Sequence, residues 1–385
     1  MTVRMIKLPI IYYGKGSLKE LKNLSQNKVL VVTDKVINEI HGNLISKFLS
    51  KKDFIFFDEI EPDPMDITIS KGGEVAREYK PDLIIGFGGG SVMDAAKGIY
   101  FLYECEDKKL HECILGTVPK LGQKSKLILI PTTSGTGAES TGGAGVTDSE
   151  TNRKGAIASI ELVPEMIIID PKLPLKMPPK LTASTGLDAL THAIEGIYSN
   201  IASDFTDALN LHAIKLIINY LPLAVGEGAN DINIRAKVHY AASIAGLALG
   251  HSVCAIAHAC GHSIGAVYHI PHGISVSIML PYIIEFNKPT SEKKYENILN
   301  NINVLINDDA TKTLANFVRD FLKKVNVPIT IKDFGISKKE WERNIEKLVS
   351  FADADFTKII NPRSPSEEDF RKIFEYAYEG RPIDF

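Results

Sequence analysis

The chain contains 385 residues, which is more than one hydrophobic core usually organises, so we expect two domains. Hydrophobic residues make up 44% and charged residues 24% of the sequence, a composition typical of folded globular proteins that argues against disorder. Lysine and arginine number 44 against 47 aspartate and glutamate residues, giving a formal net charge of -3. Because this balance offers no basic excess for phosphate backbones, a nucleic-acid partner is not expected.

The cysteines and the N-terminal segment indicate a reducing compartment. Four cysteines occur, none of them in a CxxC pair, so the sequence predicts no disulfide framework. The opening segment MTVRMIKLPIIYYGKG contains neither a long apolar region nor a small-residue cleavage site, and we expect no signal peptide. Together these features predict a cytoplasmic protein.

One long stretch is entirely uncharged. From Val238 to Ile284, 47 residues pass without an aspartate, glutamate, lysine or arginine, which raises the alternative of a transmembrane pair. The stretch also contains six histidines, many glycines and serines, and two prolines. Because imidazoles are costly in hydrocarbon, we interpret it as the buried middle of a soluble helical domain and expect no membrane contact.

The first half of the chain predicts a parallel sheet with intervening helices. Continuous apolar runs of strand length recur there, which is typical of strands buried on both faces. The predicted strands are 28–34, 54–60, 82–88, 126–132 and 165–170. Helix-like segments at 66–80 and 91–103 lie between strands, and this alternation favours an α/β domain with right-handed crossovers.

After the proline pair at 178–179 the strand signal stops and helical patterns dominate. The predicted helices are 182–199, 203–220, 231–250, 252–268, 290–306, 309–325, 337–349 and 366–379. The boundary falls near residue 180, in the turn-rich segment DPKLPLKMPP. We therefore expect a dinucleotide-binding α/β domain at 1–180 and an all-α domain at 181–385.

A glycine triplet follows the predicted strand 82–88 and opens a helix. Gly88, Gly89 and Gly90 allow close approach of a ligand and positive φ, and free N–H groups at the helix start attract anions such as a pyrophosphate. The segment from Ser91 to Asp94 resembles a capping box that fixes the start of the helix. A tight turn without a ligand explains the triplet about equally well. The standard GxGxxG spacing is absent, so a bound dinucleotide implies a variant fold.

Two other polar positions follow predicted strands. The segment PTTSGTGAES at 131–140 offers hydroxyls and glycines as donors with little side-chain bulk. Asp34 ends the run VLVVTD, where an acid can accept hydrogen bonds from both hydroxyls of a ribose. Asp34 fits equally well as the N-cap of a helix beginning KVINEI, and the sequence leaves both roles open.

Histidines concentrate in the second half. Four of the ten histidines lie within fifteen residues, at 258, 262, 269 and 272. The first two share one helical face at i, i+4, and Asp188 and His192 repeat that spacing on a helix that should begin near residue 181. Imidazoles and a carboxylate from several helices suit a divalent metal such as Fe(II) or Zn(II). A lone histidine is more often a core residue, but this cluster predicts a metal site. Cys254 and Cys260 are possible soft ligands that we interpret as core residues.

These motifs resemble, in order and over nearly the whole chain, those of the iron-containing (group III) alcohol dehydrogenase family. GGGSVMDAAK resembles the family's GGGSxxDxxK loop, PTTSGTGAE its second cofactor loop, and MPPKLTASTGLDALTHAIE its first metal helix. HACGHSIGAVYHIPHG resembles the paired-histidine and PHG segment, and NPRSPSEEDF the C-terminal motif. The resemblance implies the dehydroquinate synthase-like/iron alcohol dehydrogenase fold, with a Rossmann-like parallel sheet followed by an all-α domain.

The resemblance also implies roles for individual residues. The family's metal ligands fall on Asp188, His192, His258 and His272. The second histidine of the pair, His262, lies outside the metal shell and assists proton transfer. Together with Asp34, the predicted cofactor contacts are Gly88, Gly89, Gly90, Ser91, Asp94, Thr132, Thr133, Thr136 and Lys154. Asp63 stands where many members have an asparagine that contacts the cofactor, so that contact is left open.

The function implied is that of an NAD(P)-dependent alcohol dehydrogenase or aldehyde reductase, in which hydride passes between nicotinamide and a small alcohol or aldehyde. The resemblance implies Fe2+, with Zn2+ possible, and a homodimer with the cofactor between its domains. NAD is expected over NADP because Asp34 would repel a 2′-phosphate. The alternatives are a zinc glycerol-type dehydrogenase, a hydroxyacid–oxoacid transhydrogenase, a dehydroquinate-synthase-like lyase, and a non-catalytic metal- or nucleotide-binding protein. Net turnover of NADH separates a dehydrogenase from the last three.

Overall fold

The computed structural model describes residues 4–110, 118–150, 154–307 and 309–385. The chain forms two compact units, Met1–Lys176 and Met177–Phe385. Of the four cysteines, Cys113 lies outside the described residues. The side chain of Lys154, a predicted cofactor contact, also lies outside them, but its backbone is described.

The first unit is built on a parallel sheet. Its strands are β1 (Ile10–Tyr13), β2 (Lys28–Val32), β3 (Asp53–Phe57), β4 (Leu83–Gly88), β5 (Lys126–Pro131), β6 (Gly143–Thr147), β7 (Lys154–Ala158) and β8 (Met166–Ile169). Six of these described strands pair in the order β1-β8-β5-β4-β2-β3, all parallel, and β6 and β7 form a separate antiparallel hairpin. The central strands are buried along nearly their whole length, which is why their sequences are continuously apolar.

Among the described residues of the first unit, the α-helices that connect the strands are α1 (Lys35–Leu49), α2 (Asp66–Tyr79) and α3 (Gly90–Glu104). Helix α1 packs Ile45 and Leu49 into the core on one face of the sheet. Helices α2 and α3 lie against each other, and a Cβ at Gly72 would lie 2.3 Å from the Cδ1 atom of Ile99. The prediction of a parallel α/β sheet is therefore confirmed, and so are its five predicted strands.

The sequence missed two features of this unit. Strand β1 has only four residues, all exposed, so it lacks the buried apolar run by which the other strands were found. The β6–β7 hairpin is rich in glycine and alanine, residues with low strand propensity that pair here through the backbone.

The second unit is helical throughout its described residues. Its helices are α4 (Pro179–Tyr198), α5 (Asp204–Val225), α6 (Ile232–Ser252), α7 (Ile256–Tyr268), α8 (His272–Phe286), α9 (Lys288–Asn301), α10 (Ala310–Lys324), α11 (Lys338–Asp353) and α12 (Glu367–Glu379). Every helix predicted for this half is present, which confirms the all-α assignment. Helix α8 was not predicted because it is buried on nearly all sides and contains Pro281, so its sequence has no polar face to reveal a helical period.

The uncharged stretch 238–284 forms the centre of this unit. It covers most of α6, all of α7 and nearly all of α8, and most of its side chains are buried, as expected for a core. By length and apolar composition alone, helix α5 could cross a membrane, as could the bent pair α6–α7 if it counted as one span. This is weak evidence, because the core helices of soluble proteins pass the same test.

Glycines set the distances between the helices of this core. A Cβ at Gly261 on α7 would lie 2.5 Å from Cγ1 of Val276 on α8. A Cβ at Gly273 on α8 would lie 2.0 Å from the carbonyl oxygen of Ser184 on α4. Only glycine fits at these two positions without moving a neighbour, so α4, α7 and α8 meet at backbone contact distance.

Candidate metal centre and cofactor loops

The predicted cofactor positions of the first unit follow three neighbouring strands. Strands β2, β4 and β5 are adjacent and parallel, with Val32 opposite Gly86 and Gly88 opposite Pro131. Because parallel strands end at the same edge, Asp34, the glycine triplet and the loop after Pro131 lie along one edge of the sheet. In open α/β sheets this carboxyl edge is where ligands bind.

The glycine triplet is required for space. A Cβ at Gly88 would lie 2.6 Å from Cβ of Val92, and one at Gly90 would lie 2.7 Å from Cγ2 of Thr136. None of the three has positive φ, so the left-handed backbone that glycine allows is not used here. The glycines instead let the start of α3 approach the loop after β5.

The predicted capping box from Ser91 to Asp94 is also wrong. Helix α3 begins at Gly90, its N-cap is Gly89, and no side chain caps it. The Ser91 hydroxyl instead accepts a hydrogen bond from the N–H of Asp63 (3.2 Å), and Oδ2 of Asp94 accepts one from the N–H of Gly145 (2.9 Å). The N–H groups of the first turn are therefore available to an anion. A capping side chain would have occupied one of them.

Lys97, which the sequence reasoning passed over, joins α3 to the second loop. Its ammonium is buried and donates hydrogen bonds to the carbonyl of Ala138 (2.7 Å), the hydroxyl of Thr141 (3.1 Å) and the carbonyl of Gly143. Burial lowers the pKa of Lys97 to about 8, against the opposing attraction of Asp94 and Glu139. The sequence could have identified Lys97, because it lies three residues after Asp94 in GGGSVMDAAK and its neighbours are small or apolar.

The other predicted cofactor residues fall as follows. Thr132 is buried with a hydroxyl that has no hydrogen-bond partner among the described residues, whereas Thr133 is partly exposed. The Thr136 hydroxyl accepts a hydrogen bond from the N–H of Ala138 (3.3 Å). Lys154 begins β7.

Asp34 is the N-cap of α1. Its Oδ1 atom accepts a hydrogen bond from the N–H of Ile37 at 2.8 Å. Of the two roles that the sequence left open, the structure shows the cap, and this bond occupies one of the two carboxylate oxygens. Asp34 is partly exposed at the sheet edge, beside the strand that leads into the glycine triplet.

The predicted metal ligands of the second unit come together. Asp188 and His192 lie one turn apart on α4, His258 lies on α7, and His272 is the first residue of α8. The Nε2 atom of His272 is 3.2 Å from Oδ1 of Asp188, and Nε2 of His192 and of His258 are each 3.7 Å from that same oxygen. Asp188, His258 and His272 place their ligand atoms within 4.8 Å of one another, and His192 lies beside this group with its ring stacked on His258.

These separations and the free lone pairs fit a bound metal ion. Two ligands bonded at about 2.1 Å to one tetrahedral ion lie roughly 3.4 Å apart. Asp188 Oδ1 and His258 Nε2 are buried without a hydrogen-bond partner among the described residues. Because Nδ1 of His258 faces a carboxylate, its proton is there and Nε2 presents a lone pair. A buried carboxylate oxygen facing nitrogen lone pairs is stable only with a cation among them.

The pKa shifts of the metal-free cluster differ between its residues: those of Asp188 and His192 favour the forms that bind a metal, and that of His258 favours its protonated form. Burial disfavours the charged form of Asp188, but the imidazoles of His192, His272 and His258 hold its pKa well below the ordinary value. Burial lowers the pKa of His192 to about 4, so at neutral pH it is the neutral imidazole that a metal requires. Burial also opposes the charging of His258, but Glu195 and Asp188 raise its pKa overall.

Glu195 is a functional residue that the sequence reasoning missed. Its Oε1 atom accepts hydrogen bonds from the N–H of Ala257 (2.7 Å) and the hydroxyl of Tyr198 (3.2 Å), and its Oε2 atom accepts one from Nδ1 of His258. A buried carboxylate that holds the far nitrogen of a ligand histidine fixes the orientation of that ring. Glu195 lies three residues after His192 in THAIE, and this spacing on one helix could have identified it from the sequence.

His262 lies beside the cluster. Its ring stacks on that of His272, with centroids 5.2 Å apart, and its Nδ1 atom contacts Oδ2 of Asp355 at 2.7 Å. Burial lowers the pKa of His262, and Asp355 partly offsets this. No local signal identifies Asp355, because it is distant from His262 in the sequence.

The other residues considered as metal ligands are His269, Cys254 and Cys260. His269 ends α7 in the left-handed conformation and is exposed, and it is not part of the cluster. Cys254 and Cys260 are free and buried, and burial raises the pKa of both thiols, which disfavours the thiolate that would bind a metal. Cys254 is near Glu195 and His258, but the carboxylate of Glu195 already accepts three hydrogen bonds.

The chain belongs to the iron-containing alcohol dehydrogenase family. Residues 9–171 match the family described as iron-containing alcohol dehydrogenase, and residues 182–378 match the C-terminal part of the Fe-containing alcohol dehydrogenase family. The family resemblance seen in the motifs is therefore confirmed.

Individual relatives agree with this assignment. The chain is 38% identical to an NADPH-dependent butanol dehydrogenase from Clostridium saccharobutylicum, covering 97% of this chain and 98% of that protein. Other curated relatives, named aldehyde-alcohol dehydrogenases, are longer, and this chain spans 46% of their length.

Solved structures match over the same extent. An iron-containing alcohol dehydrogenase from Thermococcus thioreducens superposes with a TM-score of 0.90 at 28% identity, covering 98% of this chain and 100% of that one. A sulfoacetaldehyde reductase from Bifidobacterium kashiwanohense, solved with NAD+, has a TM-score of 0.86 at 25% identity, covering 98% and 99%. The chain is accordingly an oxidoreductase, an iron-dependent, NAD(P)-linked alcohol dehydrogenase or aldehyde reductase.

Proposed function

We propose that Asp188, His192, His258 and His272 hold the catalytic Fe2+. The observation that supports this most directly is the convergence of three imidazole nitrogens on one partnerless oxygen, Oδ1 of Asp188, at 3.2–3.7 Å. Of the four side chains only His272 is substantially exposed, at 39%, so a substrate reaches the ion from its side. A bound Fe2+ supplies Lewis-acid polarisation of the substrate oxygen.

The second part of the proposal is a proton-relay role for His262. It is outside the ligand group but in ring contact with His272, and its side chain is one-third exposed. It therefore lies between the cluster and solvent, where an imidazole can accept the hydroxyl proton of an alcohol and release it to water. Asp188 and Glu195 cannot serve in this way because both are fully buried.

The third part assigns the cofactor to the first unit. The N–H groups at the start of α3 suit the pyrophosphate of NAD(P), with Ser91, Asp94 and the segment 132–136 near them. Residues 1–180 then act as the dinucleotide-binding domain and residues 181–385 as the metal-binding and catalytic domain. The substrate class is a small alcohol or aldehyde, in line with the butanol dehydrogenase relative.

Two matched variants test the metal and relay roles. His272→Ala removes a ligand and is expected to lower both the iron content and the reduction of butanal by NADH. His262→Ala is expected to keep the iron and lower only the turnover. Full iron with normal turnover in His272→Ala would disprove the ligand assignment, and loss of iron in His262→Ala would show that the two roles are exchanged.

We also propose a cytoplasmic homodimer. Strand β1 is the terminal strand of its sheet, and its four residues, Ile10–Tyr13, are apolar or aromatic and exposed. Exposed terminal strands of this kind favour pairing with another chain, and two identical copies pair most simply about a two-fold axis. The free state of the three described cysteines suits a reducing compartment. Light scattering tests the dimer by measuring the molar mass of the wild type and of Ile11→Lys. The lysine substitution should convert the dimer to monomers.

A further inference from the structure

The hydrogen bonds around Asp355 leave neither of its carboxylate oxygens free. Oδ1 accepts from the backbone N–H of Thr357 (2.9 Å) and from the hydroxyl of Thr357 (2.8 Å). Oδ2 faces Nδ1 of His262 at 2.7 Å. Asp355 begins the short 3-10 helix Phe356–Ile360, so its backbone is held as well as its side chain, and the side chain is 12% exposed.

These bonds determine which nitrogen of His262 carries the proton. A carboxylate can only accept hydrogen bonds, so the neutral imidazole must place its proton on Nδ1. Nε2 is then left with a lone pair and is ready to accept a proton. The opposite tautomer would set the lone pair of Nδ1 against the carboxylate and leave no acceptor at Nε2.

We propose that Asp355 is a positioning residue for the reaction: its hydrogen bond with Nδ1 fixes the ring orientation and the tautomer of His262, so that Nε2 presents a lone pair. The inference rests on the relay role proposed for His262. In alcohol oxidation NAD+ would take the hydride of the substrate, Nε2 of His262 would take the hydroxyl proton, and the imidazolium would then release a proton to water, so that aldehyde, NADH and H+ would be left. Asp355 stays ionised throughout and touches neither substrate nor cofactor.

The substitution Asp355→Asn tests the tautomer because the two groups have the same shape. Both donors of Thr357 point at the Oδ1 position, so the amide oxygen must stay there. The amide NH2 group then faces Nδ1 of His262 and donates to it, which moves the ring proton to Nε2 and removes the acceptor. Asp355→Glu restores a carboxylate and serves as the conservative variant, and Asp353→Asn, in the same segment, is the matched control.

We expect Asp355→Asn to lower kcat for butanol oxidation by about 100-fold, the usual scale of a lost proton transfer, with little change in KM or iron content. Asp355→Glu should recover part of kcat, and Asp353→Asn should resemble the wild type. In a His262→Ala background, Asp355→Asn should cause no further loss, because a positioning residue acts only through its partner.

The outcomes separate the two proposals. Normal turnover in His262→Ala would overturn the relay role, and the role of Asp355 with it. Impaired His262→Ala with a normal kcat in Asp355→Asn would overturn the role of Asp355 alone. Losses that multiply in the double variant, or a loss of iron in Asp355→Asn, would show that Asp355 only supports the local structure.

Discussion

The carboxylate of Glu195 accepts a hydrogen bond from Nδ1 of His258, and both side chains are buried. Because the carboxylate holds the proton on Nδ1, the other nitrogen of His258 is left as a donor of electrons to a metal. Glu195 is on the same helix as Asp188 and His192, so α4 carries two of the proposed ligands and also orients a third on α7.

Glu195→Gln should weaken iron binding about 10- to 100-fold, the range seen when partners of a ligand histidine are lost. The Oε1 position receives two donors, from Ala257 and Tyr198. The amide oxygen must stay there, so the NH2 group faces Nδ1 of His258 and moves that proton to Nε2, where the metal should bind. Iron remaining after dialysis against a chelator of graded strength measures the effect.

The control for this prediction is Glu285→Gln. Glu285 is a buried carboxylate of the same unit, paired with Arg319 and away from the ligand set. This variant should lose stability but keep its iron affinity. Equal iron loss in Glu195→Gln and Glu285→Gln would mean that the effect on Glu195 is general destabilisation.

Gly273→Ala should damage the metal centre without removing a ligand. A Cβ at this position would lie 2.0 Å from the Ser184 carbonyl oxygen and 3.0 Å from Cβ of Asp188. Helix α8 must then shift away from α4 and separate His272 from Asp188, at a cost of roughly 1–3 kcal/mol. We expect lower iron content, lower turnover and a lower Tm. Gly265→Ala on α7, whose new Cβ would make only ordinary contacts, should be tolerated, and equal damage there would refute the explanation.

The fold could be predicted from the sequence wherever burial leaves a periodic or continuous apolar pattern. Strands β2 to β5 and helix α4 have that pattern, and their positions were predicted within a few residues. Strand β1 and helix α8 were missed because one is exposed and the other has no polar face. The four proposed metal ligands were predicted from i, i+4 spacing and family motifs, and the structure brings their side chains together. Their partners could not all be found, because Asp355 meets His262 only through the tertiary fold.

Lys97 should make the stability of the protein depend on pH above neutrality. The ordinary pKa of 10.5 applies in the unfolded chain, and in the folded chain it is lowered to about 8. Between these values the unfolded state binds more protons, so the contribution of Lys97 to stability rises with pH. Relative to Lys97→Met, the wild type should gain about 2 kcal/mol of unfolding free energy between pH 7.5 and 9.5.

Urea unfolding of both proteins at the two pH values checks this, with Lys19→Met, an exposed lysine, as the control. If the difference in unfolding free energy between the wild type and Lys97→Met does not change with pH, burial does not lower the pKa of Lys97 in the folded protein. Lys97→Met should also raise KM for NADH several-fold, because the loop at 138–143 loses three hydrogen bonds to α3.

Asp34 should make the enzyme prefer NAD over NADP. It follows β2, beside the strand that leads into the glycine triplet, and its Oδ1 atom caps α1. A negative charge there repels the 2′-phosphate of NADP by on the order of 1 kcal/mol or more, which corresponds to about tenfold in kcat/KM. Asp34→Asn separates charge from cap, because asparagine caps a helix equally well. Its kcat/KM ratio for NADPH over NADH should rise at least as far as that of Asp34→Gly, with Tm unchanged. The carboxylate does not face the adenosine ribose if the wild type favours NADPH, or if the kcat/KM ratio for NADPH over NADH does not change in Asp34→Asn. In that case Lys35→Met would test whether the neighbouring ammonium binds the 2′-phosphate instead.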